Sequence, residues 1–289
     1  MLRRKISAYF FVAPATIIFI IFTFVPVVMA FVMAFQNVGI FGNEWVGFEN
    51  FKEVFQNSDF WIALRNTMWY ASFNVLKNIS VALMLASLLA PLSEKAQSLF
   101  RAIYYLPTVT ATVVIGIVWG WLLNYSFGPI NTFLTKIGAG PVPWLVDPSM
   151  AMWSIILTDM VIAPGSGVIL YLAAINNIPK SLYEAAELDG ASGFYKWLKI
   201  TIPLVTPTTL YLTVVYTIAA ISVFDKIYVL TGGGPGNSTI TLVYLIYTTA
   251  FRDFNYGLAS AISLVFFSIA VVISIFQFKS LSRSYEWEG

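Results

Sequence analysis

Cysteine and histidine are both absent from this 289-residue chain. That removes disulfides, Cys/His metal sites and His- or Cys-based catalysis together. Charge is scarce too: 10% of residues are Asp, Glu, Lys or Arg, against about 25% in soluble domains. With 58% of residues hydrophobic and a mean hydropathy of +0.79, the chain is too poor in charge to cover a globular surface, so lipid must be the solvent for much of it. The net charge of +2 leaves no nucleic-acid footprint. There is no long linker, low-complexity stretch or short-period repeat.

What is present is a set of apolar runs long enough to cross a bilayer, which takes roughly 20 residues of helix. Six are read, at residues 8–35, 68–90, 103–124, 151–174, 207–226 and 258–279. They are continuously apolar instead of alternating, so they predict helices and not barrel strands. The expected fold is an all-α membrane protein with six transmembrane helices, residues 1–289 forming a single domain. The first run is too long and too rich in Phe for a cleaved signal peptide and is expected to remain as a helix. Basic residues give the orientation. With the N-terminus inside, ten are cytoplasmic (Arg3, Arg4, Lys5, Lys95, Arg101, Lys180, Lys196, Lys199, Lys279 and Arg283). Six lie outside or in the outer half: Lys52, Arg65, Lys77, Lys136, Lys226 and Arg252. The positive-inside rule then favours N-in, C-in, with 91–102 and 175–206 as the cytoplasmic loops.

Segment 175–206 is the most informative. Pro179 opens a short helix over 180–189, because its missing N–H is not needed in the first turn, and Gly190 stops it. Ser192 caps a second helix carrying Phe194, Trp197 and Leu198. Pro203 and Pro207 mark the return to the membrane. Ala185 and Ala186 allow close approach of another surface, while Glu184, Glu187 and Asp189 offer charge to a partner's Arg or Lys. An amphipathic loop lying on lipid headgroups is the other reading, although anionic lipid repels an acidic helix.

The spacing here, Glu184-Ala185-Ala186, Gly190 and Ile200-Thr201-Ile202-Pro203, resembles the cytoplasmic motif of binding-protein-dependent ABC permeases, with Ile202 standing where that motif has Leu. Asn50-Phe51, Asn66-Thr67, Leu106-Pro107, Gly128-Pro129-Ile130-Asn131, Asp147-Pro148, Ile178-Pro179 and Phe224-Asp225 through Thr231-Gly232-Gly233-Gly234-Pro235 are similar to the carbohydrate-uptake branch, which includes maltose-type permeases. The resemblance implies a type I ABC importer permease fold in a bacterial or archaeal inner membrane. It also implies a non-enzymatic transport subunit with four kinds of partner: a second permease subunit, a dimer of ATP-binding subunits, an external solute-binding protein and a sugar. On it, Glu184, Ala185, Ala186, Glu187, Asp189, Gly190 and Pro203 form the element that docks on the ATPase. ATP and Mg are then bound by the ATPase, and this chain carries no cofactor.

Thr231 to Gly236 invites a phosphate-loop reading, but no Gly-Lys-Ser/Thr follows and the topology puts it outside, so it is read as a turn. Asp159 lies inside the fourth span, where an ionisable group faces a cavity or a partner. Pro164-Gly165-Ser166-Gly167 then breaks the helix and frees backbone groups for a ligand. The alternative is a purely structural pair, with Lys77 as the obvious partner. Gapless comparison with maltose-type permeases puts Asp159, Ile162, Ala163 and Ser166 at sugar-site positions, together with Thr108, Thr112, Ala220 and Val223, with Ser222 between the last two. No span has Arg in its interior, and Asp159 is the only buried-looking acid. A phosphorylated or carboxylated sugar would want a cationic pocket, whereas a carboxylate suits neutral hydroxyl donors, so a neutral oligosaccharide is expected. The competing function is a self-contained secondary carrier or channel using Asp159 and Lys77 as an ion relay.

Overall fold

The computed structural model describes the backbone of residues 2–39 and 42–283, and the side chains of 11–39 and 42–279. The side chains of Arg3, Arg4, Lys5 and Arg283, on which the N-in reading leans, lie outside the described residues. In chain order the elements are α1 (Leu2–Phe19), a π-turn, α2 (Val25–Met33), β1 (Gln36–Gly39), β2 (Gly42–Trp45), α3 (Glu49–Gln56), α4 (Ser58–Leu89), α5 (Glu94–Tyr105), α6 (Thr112–Leu122) and α7 (Pro129–Lys136). There follow α8 (Ala151–Met160), α9 (Gly165–Asn176), α10 (Lys180–Leu188), α11 (Gly193–Lys196), α12 (Ile202–Leu204), α13 (Thr206–Ile221), α14 (Asp225–Leu230), α15 (Leu242–Phe251) and α16 (Tyr256–Arg283). They group into two compact units, Met1–Trp61 with Leu245–Ser268, and Ile62–Tyr244 with Ile269–Gly289.

Four described helices are long and apolar enough to cross a membrane: Phe11–Met33, Ser58–Leu89, Thr206–Leu230 and Tyr256–Lys279. The two remaining expected spans are not single helices. Glu94–Val109 and Thr112–Leu122 meet at 85°, and Ala151–Met160 and Gly165–Asn176 at 44°, so the count reaches six only if each bent pair is one span. The first bend has a clear cause: Pro107 lacks a donor, and Thr110 and Ala111 are extended at ψ 133° and 130°. The second follows the expected break, with Pro164 ahead of the first turn of α9. The second span starts earlier than expected, at Ser58; the fold is helical as expected, with one small hairpin beside the helices in which Gln36 pairs with Trp45 and Val38 with Asn43.

In the first unit, Phe35 is the centre of a ring cluster with Phe31, Trp45, Phe48 and Phe51 at 5.1–5.8 Å. Buried Asn50 donates to the carbonyls of Ala34 (2.9 Å) and Gln36 (3.0 Å), which satisfies the backbone where α2 gives way to the strand. In the second unit, Ala82, Ala86, Leu89, Val168, Tyr171, Leu172, Ile175, Val205 and Leu212 form a core where α4, α9 and α13 meet. Small residues set the approach distances. A Cβ on Gly165 would strike the backbone of Tyr104 and Tyr105, so α9 lies directly on α5.

The glycine turn belongs to the same unit and is a tied loop. Asn66 on α4 donates to the carbonyls of Ser238 (2.9 Å) and Ile240 (3.0 Å), and the Thr67 hydroxyl accepts from the Leu242 amide (3.0 Å). Gly232, Gly233 and Gly236 take positive φ of 56°, 83° and 56°, the region where an L side chain is disfavoured.

Candidate functional site

The pocket is built on one face of α4. Tyr70, Asn74 and Asn78 recur every four residues, the spacing that stacks side chains on one side of a helix. They form a hydrogen-bonded line: the Asn78 amide donates to Asn74 Oδ1 (2.7 Å), the Asn74 amide to the Tyr70 hydroxyl (3.4 Å), and that hydroxyl to Asp159 Oδ2 (2.5 Å). The other carboxylate oxygen is ion-paired with Lys226 on α14. Both charged side chains are nearly enclosed, at 10% exposed for Asp159 and 13% for Lys226, so their mutual attraction is strong and so is the penalty for separating them.

These groups line a cavity of about 270 Å³ with Thr112 at the start of α6, Tyr216, Ala219 and Ala220 on α13, and Ser222, Val223, Phe224 and Asp225 at the α13–α14 break. The break leaves carbonyls without helical partners, and side chains meet them. Thr241 donates to the Val223 carbonyl (3.0 Å), and Lys77 Nζ donates to the Ile162 carbonyl (3.0 Å) at the α8–α9 bend. The Tyr216 hydroxyl lies against Gly167, where any Cβ would collide with it. At the start of α8, the Ser149 hydroxyl and amide both donate to Asp147 and hold its carboxyl below the usual carboxylate range.

Thr112, Asp159, Ala220, Ser222 and Val223 are therefore brought together on one cavity. Ile162 and Ala163 are half-buried at the bend, and Ser166 is exposed on the first turn of α9. Thr108 donates to the Tyr105 carbonyl (2.6 Å) in the 3₁₀ turn after α5. The expected Asp159–Lys77 pair is corrected: Lys226 and Tyr70 hold the carboxylate, because α14 packs on α6 and α8 and brings its first turn to Asp159. Lys226 was placed at the outer end of a span by hydropathy alone. The expectation of a pocket without positive charge is corrected with it, since Lys226 lines the cavity. Sequence reading missed Tyr70, Asn74, Asn78, Tyr216, Asp225 and Lys226, although two asparagines four apart in an apolar run were a usable signal for the α4 face.

The second candidate site is α10, with no buried residue among its nine. Pro179 precedes it, Asp189 ends it, and Gly190 takes φ 76° while its amide bonds the Glu187 carbonyl (3.0 Å) and that of Ala191 bonds Ala186 (2.9 Å). Glu184, Ala185, Glu187, Asp189 and Gly190 are exposed, Ala186 is half-buried, and Leu188 is 90% exposed. Glu187 pairs with Lys196 at 3.2 Å, a surface contact of little energetic weight. Ser192 caps α11 by accepting from the Tyr195 amide (3.3 Å), as its position predicts. Pro203 sits in the first turn of α12 and is half-buried.

Residues 78–283 match the model of the binding-protein-dependent transport system inner membrane component family. The arabinooligosaccharides transport system permease protein AraP of Bacillus subtilis (strain 168) is 32% identical over 99% of this chain and 91% of that protein. The trehalose/maltose transport system permease protein MalF of Thermococcus litoralis is 33% identical over 96% and 94%. Among solved structures, a bacterial ABC transporter involved in the import of the acidic polysaccharide alginate superposes with a TM-score of 0.86 at 27% identity, covering 98% of this chain and 97% of that one. A bacterial alginate ABC transporter bound to an alginate pentasaccharide-loaded periplasmic protein gives 0.82 at 27% identity, covering 96% and 94%.

Proposed function

Because the chain belongs to the binding-protein-dependent transport system inner membrane component family, we propose that it passes a neutral oligosaccharide through the α4–α8–α14 pocket and takes its drive through α10. The chain is a multi-pass membrane permease subunit of an ABC importer for sugars, and not itself an enzyme. It works with a second permease, an ATPase and an external solute-binding protein. The secondary-carrier alternative is set aside by the family, and its Asp159–Lys77 relay by the Lys226 pair.

The observation that carries the reading is the exposure of α10. A nine-residue helix with no buried side chain, ending in a 90% exposed Leu188, gains nothing from standing free and fits a cleft in another protein. In this reading Glu184, Ala185, Ala186, Glu187, Asp189 and Gly190 seat in the ATPase, which binds ATP and Mg, and Pro203 fixes the return of the loop to the bundle. The N- and C-termini and α10 are cytoplasmic. ATP-driven closure moves α10 and switches the permease pair between its two facings.

Asp159 accepts cargo hydroxyls alongside Tyr70, Asn74, Asn78, Thr112, Tyr216 and Ser222, with Ala220 and Val223 as the apolar floor. Ile162, Ala163 and Ser166 form the bend that lets the pocket change shape, and Thr108 the turn ahead of α6. The lining carries Asp159 and Asp225 against Lys226. That balance gives an acidic sugar no excess of positive charge, which supports neutral cargo. The test is purification from the native membrane followed by reconstitution. An ATPase and a second permease should copurify, and transport should require ATP and the binding protein. Neutral malto- or arabino-oligosaccharides should compete for uptake where uronates do not. Uptake by this chain alone without ATP refutes the reading, as does wild-type coupling in both Glu184→Ala and Gly190→Asp.

A further inference from the structure

α10 packs on the bundle core through Tyr183, and its other side chains stay outside that core. A cavity of about 350 Å³ lies beneath it, lined in part by Ser87, Asn176, Lys180, Tyr183, Trp197 and Thr201. Beside that contact, a small set of directed bonds spans the cavity. The Tyr183 and Thr201 hydroxyls are 2.8 Å apart and link α10 to the π-turn at Trp197–Thr201. The Trp197 indole donates to the Ser87 hydroxyl on α4 (2.8 Å), and that hydroxyl donates to the Leu83 carbonyl (2.7 Å), so its hydrogen is committed and its lone pair faces the indole. Motion of α10 reaches α9 and α13 along the chain itself. Of these contacts, the one that reaches α4 is Trp197–Ser87.

α4 is the stiff member of this unit. It runs unbroken from Ser58 to Leu89, whereas the α5–α6 and α8–α9 pairs are bent by 85° and 44°. Ser87 stands near one end, and Tyr70, Asn74, Lys77 and Asn78 lie further along the same helix. About 20 Å of helix, at 1.5 Å per residue, separates Ser87 from Asn74. Two side-chain hydrogen bonds from α4 to the bent fourth span start there, beside the packing of α4 on α8 and α9: the Tyr70 bond to Asp159, and the Lys77 bond to the Ile162 carbonyl at the bend itself. A helix displaced as a rod carries both links with it, while a bent pair absorbs the same displacement at its joint.

We propose that the Trp197–Ser87 hydrogen bond is the strut by which α10 drives α4, and that α4 transmits this motion to the pocket. The inference rests on the importer reading above. Trp197 and Ser87 are positioning residues: they touch neither cargo nor nucleotide and act by holding α10 and α4 in register.

The test uses the complete complex of both permeases and the ATPase in lipid nanodiscs. ATP hydrolysis is measured with and without its binding protein loaded from a mixed malto- and arabino-oligosaccharide fraction. Trp197→Phe keeps the ring and removes the donor, and Ser87→Ala removes the acceptor. Each is expected to lower the stimulation by loaded binding protein about fivefold, the factor equivalent to a hydrogen bond of about 1 kcal/mol. The double variant is expected to lose no more than either single one, since one bond is lost only once. Ser87→Thr, which keeps the hydroxyl, should restore stimulation. Unstimulated hydrolysis and complex yield should stay at wild-type levels and the melting temperature should fall by no more than about 2–4 °C, whereas a merely structural role predicts that unstimulated hydrolysis falls together with stimulation. Stimulation within twofold of wild type in both single variants overturns the strut, and so do losses that multiply in the double. The wild-type complex separates the two readings. No stimulation there overturns the importer reading and the strut with it, whereas normal wild-type stimulation with unaffected variants overturns the strut alone.

Discussion

Replacing Asp159 by asparagine leaves the Lys226 ammonium facing the pocket with its counter-charge gone. The two side chains are 10% and 13% exposed, so water screens the pair only slightly. Removing one member of such a pair costs about 3–5 kcal/mol, most of it the penalty of an uncompensated enclosed charge. The Tyr70 bond does not add to this, because the asparagine carbonyl still accepts from the hydroxyl that now reaches Asp159 Oδ2. Asp159→Asn combined with Lys226→Met removes both charges and should return to within about 1 kcal/mol of wild type, since neutralising a whole pair is often neutral or better. Thermal unfolding in detergent, followed by the fluorescence of the nine tryptophans, reads the difference. At about 2–4 °C per kcal/mol for a chain of this order of size, the single variant should melt on the order of 10 °C lower. Lys77→Met serves as the control. Lys77 is bonded to the Ile162 carbonyl and not to Asp159, so it should not rescue Asp159→Asn. A single variant as stable as wild type refutes the pairing argument. So does a double variant that loses the sum of both singles, or rescue by Lys77→Met.

Other consequences follow from single positions. Gly190→Val places a β-branched residue at φ 76°, a strain of about 1–2 kcal/mol or more; ATPase coupling should fall while the melting temperature barely moves, because α10 has no buried side chain to lose. Asn66→Leu strips the donors from the Ser238 and Ile240 carbonyls and should destabilise by about 2–3 kcal/mol, with faster proteolysis in the glycine turn between Thr231 and Gly236. Gly165→Ala pushes a methyl group into the backbone of Tyr104, an overpacking cost of about 1–3 kcal/mol visible as a lower melting temperature.

Several residues that carry the family resemblance prove to be backbone anchors away from the pocket. Asn50 and Asn66 each satisfy two carbonyls, and Asn131 bonds the backbone of Tyr125 and Val142 and the indole of Trp144. Short amides suit this work because one side chain meets two unpaired backbone groups at a turn. Their spacing was legible in the sequence; the bonds they make were not, since Asn66 reaches partners more than 170 residues away. Helix α10 was read almost to the residue because its signals are local: Pro179 before it, Gly190 after it, Ser192 capping the next turn.

Pairing in the pocket followed a different rule. From hydropathy, Lys77 inside a span looked like the partner of Asp159 and Lys226 looked like a span-end charge. Which cation reaches the carboxylate depends on the packing of α14 against α6 and α8, a contact that Gly116 makes possible by letting Val229 approach within 3.1 Å of where its Cβ would lie. Absence of Cys and His, poverty of charge, apolar runs and the capped loop are properties of adjacent residues, so the sequence alone determined a helical membrane permease with a short exposed helix between its spans. The bends in two spans, the hairpin and the Lys226–Asp159–Tyr70 cluster join residues distant along the chain. Only the tertiary structure decided those, because close approach of helices, and not proximity in sequence, sets which charges meet in a low-dielectric interior.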